Sequence, residues 1–141
     1  MNRIKILFVA LIATLALASC SEDAPPVMLW EVTSTPSENV KAAFDPSFYS
    51  QLQIVSDGEG GEVTLKCTNY KTLQFYVKQN DEGEYVIDDC RLRATVTEPG
   101  VIKIILDKMP EDFEEKKTNL CIGGSDIGVV NYTNVTIIRK P

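Results

Sequence analysis

From Trp30 onward, apolar side chains recur at every second position in short runs, and turn-forming residues separate the runs. Glu62-Val63-Thr64-Leu65-Lys66-Cys67-Thr68 alternates in this way, as do Leu73, Phe75 and Val77, then Cys90, Leu92, Ala94 and Val96, and then Ile102, Ile104 and Leu106. Successive side chains of a strand point to opposite faces, so each run makes one apolar face that must be covered by a second layer. Runs at 119–122 and 134–138 are shorter and rich in β-branched residues. Turn chemistry lies between them at Asp57-Gly58-Glu59-Gly60-Gly61, Asn80-Asp81-Glu82-Gly83, Glu98-Pro99-Gly100 and Gly123-Gly124-Ser125-Asp126. Helical signals are confined to Asp45-Pro46 and Met109-Pro110, each able to start a single turn. With no helices to make crossovers, the expected fold is an all-β antiparallel sandwich of about eight or nine short strands. A single domain over residues 28–141 provides enough chain for one core.

The first residues follow a different pattern. Met1-Asn2-Arg3-Ile4-Lys5 is basic, and residues 6–17 are apolar apart from Thr14. As a helix this run would reach about 18 Å, short of the roughly 30 Å of a hydrocarbon core, so it reads as a signal-peptide core. It ends in Leu17-Ala18-Ser19-Cys20, which resembles the lipobox of bacterial lipoproteins. The resemblance implies a signal peptide over residues 1–19, cleavage before Cys20, and diacylglycerol on the Cys20 sulfur. Residues 20–27 would then form a tether, polar and stiffened by Pro25 and Pro26. The two acyl chains would hold the protein to a membrane without a spanning segment. Glu22 and Asp23, close behind the cysteine, are similar to the surface-export signal of some Gram-negative lipoproteins. The implied location is the outer membrane, facing either the periplasm or the cell surface.

The strand grammar after residue 52 resembles the BACON-like and immunoglobulin-like modules of surface lipoproteins from gut bacteria. It runs from Val55-Ser56-Asp57 through Gly60-Gly61-Glu62-Val63-Thr64-Leu65 to Thr68-Asn69, turns at Glu98-Pro99-Gly100, and closes in Asn134-Val135-Thr136-Ile137-Ile138. The resemblance implies an immunoglobulin-like β-sandwich. Leu73 and Tyr85 stand roughly where such modules often carry tryptophans, so the glycan-binding role suggested for them does not carry over on these positions.

The chain has 141 residues, a net charge of −6 and no histidine. Removing residues 1–19, which carry Arg3 and Lys5 and no acid, leaves the remainder at −8. Duplex nucleic acid is an unsuitable partner for such a surface, because phosphate binding needs clustered Lys and Arg. Without histidine, the commonest general base and metal ligand is missing, and no catalytic residue, metal or cofactor is assigned. Three cysteines lie beyond Cys20, at 67, 90 and 121. An envelope location permits disulfides, and strand phasing makes Cys67–Cys90 the favoured pair if a bridge forms. The leading expectation, however, is that all three act as small core hydrophobes.

Carboxylates cluster in the loops: Asp57, Glu59 and Glu62; Asp81, Glu82 and Glu84; Asp88 and Asp89; and Glu111, Asp112, Glu114 and Glu115. None of these clusters has the spacing of an EF-hand, and they read as solvated turns. Among the aromatics, Trp30 shares a face with Met28 and Val32 and is expected in the core. Phe48, Tyr49, Tyr85 and Tyr132 are further aromatics that could meet a ligand. The favoured ligand contacts are Tyr76, out of phase with the apolar residues around it, and Tyr70, at a strand-to-turn junction. Asn131-Tyr132-Thr133 and Asn134-Val135-Thr136 match a glycosylation sequon, which a bacterial lipoprotein has no enzyme to read.

Function is expected to be that of a lipid-anchored, non-catalytic binding or scaffold module for a glycan or an envelope protein. A structural, adhesin-like subunit is the alternative, with 135–139 as a candidate edge strand for pairing with other chains. A small hydrolase built on paired acids is more remote, because it requires a cleft with a fixed carboxylate separation.

Overall fold

A computed structural model describes residues 27–34, 37–44, 51–126 and 128–141. The Leu17-Ala18-Ser19-Cys20 motif, all of the tether except Val27, the Asp45-Pro46 turn, Phe48 and Tyr49 lie outside the described residues. The described chain forms ten strands: β1 Trp30–Ser34, β2 Val40–Phe44, β3 Leu52–Ser56, β4 Gly61–Cys67, β5 Thr72–Phe75, β6 Tyr85–Ile87, β7 Leu92–Glu98, β8 Val101–Leu106, β9 Lys116–Asp126 and β10 Val129–Arg139. They make two five-stranded sheets, ordered β1-β4-β8-β7-β6 and β2-β3-β10-β9-β5. The molecule is an all-β sandwich, as the alternating pattern requires.

Where period two is cleanest in the sequence, burial follows it. Strand β8 alternates half-buried and buried throughout, with Ile102, Ile104 and Leu106 turned inward. In β4, Val63, Leu65 and Cys67 face the core. The opposite layer contributes Leu52, Ile54, Leu120, Ile122, Val135 and Ile137, all fully buried. Trp30 and Met28 join this core as expected, with Val32 packed at its margin. The Phe75 and Tyr85 rings, with centroids 4.6 Å apart, bring edge strand β5 against edge strand β6 and close one side of the sandwich. At the Glu98-Pro99-Gly100 turn, Gly100 has φ +76°, and a Cβ there would come within 2.9 Å of the Tyr70 carbonyl oxygen. This position therefore needs glycine both for its backbone and for its space.

Several expectations are corrected. The described residues form ten strands where eight or nine were expected, and among them one pair, β3 with β10, is parallel. Cys90 belongs to a short 3-10 turn, Asp88–Cys90, instead of the strand that follows it. Val96, expected on the buried face, is 41% exposed near the end of β7. Gly123 to Asp126 do not turn: they continue β9, and the chain reverses between the paired Asp126 and Val129. The glycines serve packing. A Cβ at Gly124 would come within 2.8 Å of both Met28 Cε and Tyr70 Cγ. The segment 135–139, read as an edge, lies in the middle of its sheet between β3 and β9, so it offers no free edge for pairing with another chain.

The Cys67–Cys90 bridge is also overturned. All three described cysteines are free, with Cys67 and Cys90 buried. Cys67 lies six residues along β4 from Gly61, which pairs with Leu106, itself the partner of Leu92 next to the Cys90 turn. At about 3.3 Å per residue this separates the two positions by roughly 20 Å, whereas a disulfide needs Cα atoms within about 7 Å. Burial pushes the Cys67 and Cys90 thiols above the ordinary cysteine value, so both stay protonated and unreactive.

The Cys90 end of the sandwich is organised by Arg139, which is 0% exposed. Its Nη1 donates to the Cys90 carbonyl at 2.7 Å, and its Nη2 donates to the carbonyls of Asp107 (2.9 Å) and Asp57 (3.2 Å). Three loops leading from different strands thus converge on one side chain from the last strand. Its Nε has no hydrogen-bond partner among the described residues. Desolvation lowers the guanidinium pKa, while the nearby carboxylates of Asp57 and Asp107 act the other way.

Two outcomes follow. Arg139→Met keeps apolar bulk but strands three carbonyls, and should lower unfolding free energy by about 3 kcal/mol in equilibrium denaturation. In denaturant without reductant, Cys67, Cys90 and Cys121 should all alkylate. In the native protein, peptide mapping should find label at Cys121 well ahead of the other two.

Candidate functional site

The outer face of the second sheet is built by strand register. Gln74 on β5 lies opposite Gly123 on β9, which lies opposite Tyr132 on β10. This sets the three residues in one row across three strands. A second row runs Thr72, Ser125, Val130 on the hairpin side. On the other side, Cys121 faces Asn134, followed by the row Asn119, Thr136, Gln53. Alternation turns all of these outward, because Leu120, Ile122, Thr133, Val135 and Ile137 occupy the intervening inward positions.

Tyr76 follows β5 directly and is held by its backbone N–H, which donates to the Cys121 carbonyl at 3.2 Å. Its ring lies over Gly123, where a Cβ would come within 2.8 Å of the ring carbons. The Tyr132 ring meets it at a centroid distance of 5.4 Å and a tilt of 54°. Gln74 Nε2 donates to the Tyr76 hydroxyl. The hydrogen bond to Tyr76 raises the Tyr132 pKa, with the nearby Tyr76 charge as a second cause. Both rings remain wet, Tyr76 at 47% and Tyr132 at 59% exposure. Together they form one aromatic patch with an open V profile, fixed from below by a glycine and from the side by an amide.

The charges are divided sharply between the two faces of the sandwich. No described Asp or Glu projects from the outer face of this sheet, and its two lysines, Lys41 and Lys117, stand opposite Val55 and Ile138, toward the Arg139 end. The outer face of the other sheet carries Glu31, Glu62, Lys66, Arg93 and Lys103. There Lys103 pairs with Glu62 at 2.8 Å, and Arg93 bridges Asp107 (2.7 Å) and Glu84 (3.1 Å). The Arg93 hydrogen bond holds the Asp107 carboxyl below the ordinary aspartate value.

Of the two tyrosines favoured from sequence, only Tyr76 belongs to this face. Tyr70 is 3% exposed: its ring covers Gly124 beside Met28, and its hydroxyl accepts a hydrogen bond from the Asn131 amide. It is a core residue, and its strand-to-turn position gave no sign of that. Tyr132 was among the further aromatic candidates without being favoured, although the inward phase of Thr133, Val135 and Ile137 already turns it outward; Gln74 was not singled out, and Gly123 was read only as part of a turn. The loop acids are drawn into local bonds. Asp57 Oδ1 accepts the Glu59 N–H, Glu59 pairs with Lys108 at 3.0 Å, and Glu84 pairs with Arg93. Among the described residues, no three His, Cys, Asp or Glu side chains converge as metal donors, and no helix is long and apolar enough to cross a membrane.

No family model and no curated protein matches the chain. Among solved structures it is similar to the NMR structure of a protein from Bacteroides thetaiotaomicron, with 18% identity over 76% of this chain and 93% of that one and a TM-score of 0.48.

The Arg93–Asp107 pair gives a pH signature. A carboxyl whose folded pKa lies below its unfolded value of about 3.9 stabilises the fold above that pH, and the contribution is lost as pH falls through the folded value. Both side chains are at least one-third exposed, so the effect is small. Asp107→Asn should cost no more than about 1 kcal/mol at neutral pH, and the gap from the parent should close in acid, as read from denaturation midpoints between pH 7 and pH 2.

Proposed function

We propose that this chain is a lipid-anchored β-sandwich of the bacterial cell envelope, acting as a non-catalytic binding or scaffold module. The observation that carries the binding role is the outer sheet face, free of acids among the described residues, with its exposed Tyr76–Tyr132 patch. An isolated aromatic on a sandwich is unremarkable, but two rings in contact, held by a glycine floor and an amide, keep apolar area in water at a fixed geometry. Such a surface is suited to a glycan or to a protein partner. The anchoring role rests on the Leu17-Ala18-Ser19-Cys20 motif behind a basic start and an apolar run. The diacylglycerol on Cys20 would hold the sandwich at the outer membrane, with the tether spacing it from the lipid.

The two halves of the proposal are tested separately. Cys20→Ala should abolish incorporation of labelled palmitate, leave the precursor uncleaved, and shift its electrophoretic mobility accordingly. Palmitate labelling that persists in the variant would overturn the anchoring half. For the binding half, a photo-crosslinking residue at position 132 should yield adducts with envelope material in living cells. The same residue at position 64, on the opposite sheet, should yield far fewer.

A further inference from the structure

We infer that the Tyr76–Tyr132 patch is a glycan site that stacks a neutral sugar. This deepens the binding-module reading and rests on it. Three features select the ligand class. The first is the rings themselves: sugars present flat C–H faces that pack on aromatic rings, and here Tyr76 is fixed before any ligand arrives, with Tyr132 resting against it. The Gly123 floor holds Tyr76 against the sheet, and the Gln74 amide ties its hydroxyl. A pre-ordered ring loses little conformational entropy on binding.

The second feature is the polar groups beside the rings. Asn134 is exposed next to Tyr132, and in the following row the exposed Asn119 accepts a 3.0 Å hydrogen bond from the buried Thr136 hydroxyl, which leaves the Asn119 amide N–H groups facing out. Amides and hydroxyls offer donors and acceptors together, which is what sugar hydroxyls require. The third is charge. On a chain with net charge −6, this face has no acid among the described residues and keeps its two lysines away from the rings. The strand lysines of this face stand too far from the rings to fix a carboxylate or sulfate there, and the net charge of the molecule repels one. A neutral sugar suits these groups better than a protein would, because a stable protein interface wants an apolar centre with roughly 800 Å² per partner, whereas the well-exposed large apolar side chains on these rows are the two rings and Val130, with Val55, Ile138 and Cys121 half-buried.

The 54° tilt adds a restriction. Rings set as a V cannot both lie flat on one plane, so the site fits a chain that twists, or a chain end, in preference to a flat crystalline surface.

The experiment is affinity electrophoresis of the full-length, detergent-solubilised protein in gels containing laminarin, glycogen, galactomannan, polygalacturonate or chondroitin sulfate, with microcrystalline cellulose in a pull-down. At least one neutral soluble polysaccharide should retard the protein, while the two acidic ones and cellulose should not. Tyr132→Ala, at a freely exposed position, should weaken retardation about tenfold in apparent Kd, and Tyr76→Ala comparably. Tyr76→Phe, which keeps the ring, should stay within about threefold. Tyr70→Phe should leave binding unchanged, and circular dichroism should find every variant folded.

Retardation that survives Tyr132→Ala, or retention only by acidic polysaccharide, would overturn the inference. So would a folded protein retained by no polysaccharide. If that last result came with position-132 crosslinks to envelope protein, the binding-module reading would stand without the sugar. Absence of both would remove the two together.

Discussion

The Cys90 end of this sandwich depends on one buried cation. Arg139 comes from the last strand, which lies between β3 and β9 at the centre of its sheet, and its guanidinium accounts for carbonyls of Asp57, Cys90 and Asp107. Those residues lead out of β3, into β7 and out of β8, so the contacts join the two sheets at their loops. A buried guanidinium is costly to desolvate, and the lowered Arg139 pKa records that cost. Planar N–H groups aimed at backbone oxygens offset it where a flexible ammonium would not. The same geometry orders assembly. Strand β3 has only β2 as a partner until β10 arrives in parallel alongside it, so the second sheet is complete only once the C-terminal residues are in place.

At the other end a different constraint operates, namely the close approach of aromatic rings to backbone. Gly123 and Gly124 are adjacent on β9 and therefore point to opposite faces. Gly124 receives Tyr70 and Met28 from inside, and Gly123 receives Tyr76 from outside. One pair of glycines thus sets both the core packing at this end and the aromatic patch on the surface. Substituting either would require a ring to move, and the ring that moves differs: the buried Tyr70 for one, the exposed Tyr76 for the other.

The sequence was most readable where a single periodicity decided the outcome. Strands β4 and β8, the turn at Gly100, the inward Trp30 and the outward Tyr76 all follow from alternation or from turn chemistry. Lateral order is not encoded locally, which is why 135–139 read as an edge and lies at the centre. Phase also carries no information about position along the sandwich axis. Cys67 and Cys90 share an inward sense yet sit at opposite ends of β4's span. The Gly-Gly pair misled for a related reason: glycine marks turns through its backbone freedom, but here the missing Cβ is what matters, and the rings that fill that space come from residues about fifty positions earlier. Arg139 continues the inward phase of Val135 and Ile137, but its charge argues for exposure and the carbonyls that satisfy it belong to three separate loops, so its burial was not legible.

Charge partition connects this architecture to function. Both outer faces are solvated, and either could have carried the excess acid that keeps the protein soluble. Instead the β1-β4-β8-β7-β6 face carries the ion pairs of Glu62, Glu84 and Asp107, and the β2-β3-β10-β9-β5 face has amides, hydroxyls and two rings. The fold requires only that outward residues tolerate water, and charged residues satisfy that at least as well as tyrosine does. Neutrality around Tyr76 and Tyr132 is therefore unexplained by solubility or by packing. The proposed ligand, whose hydroxyls need both donors and acceptors and which brings no charge of its own, would account for it.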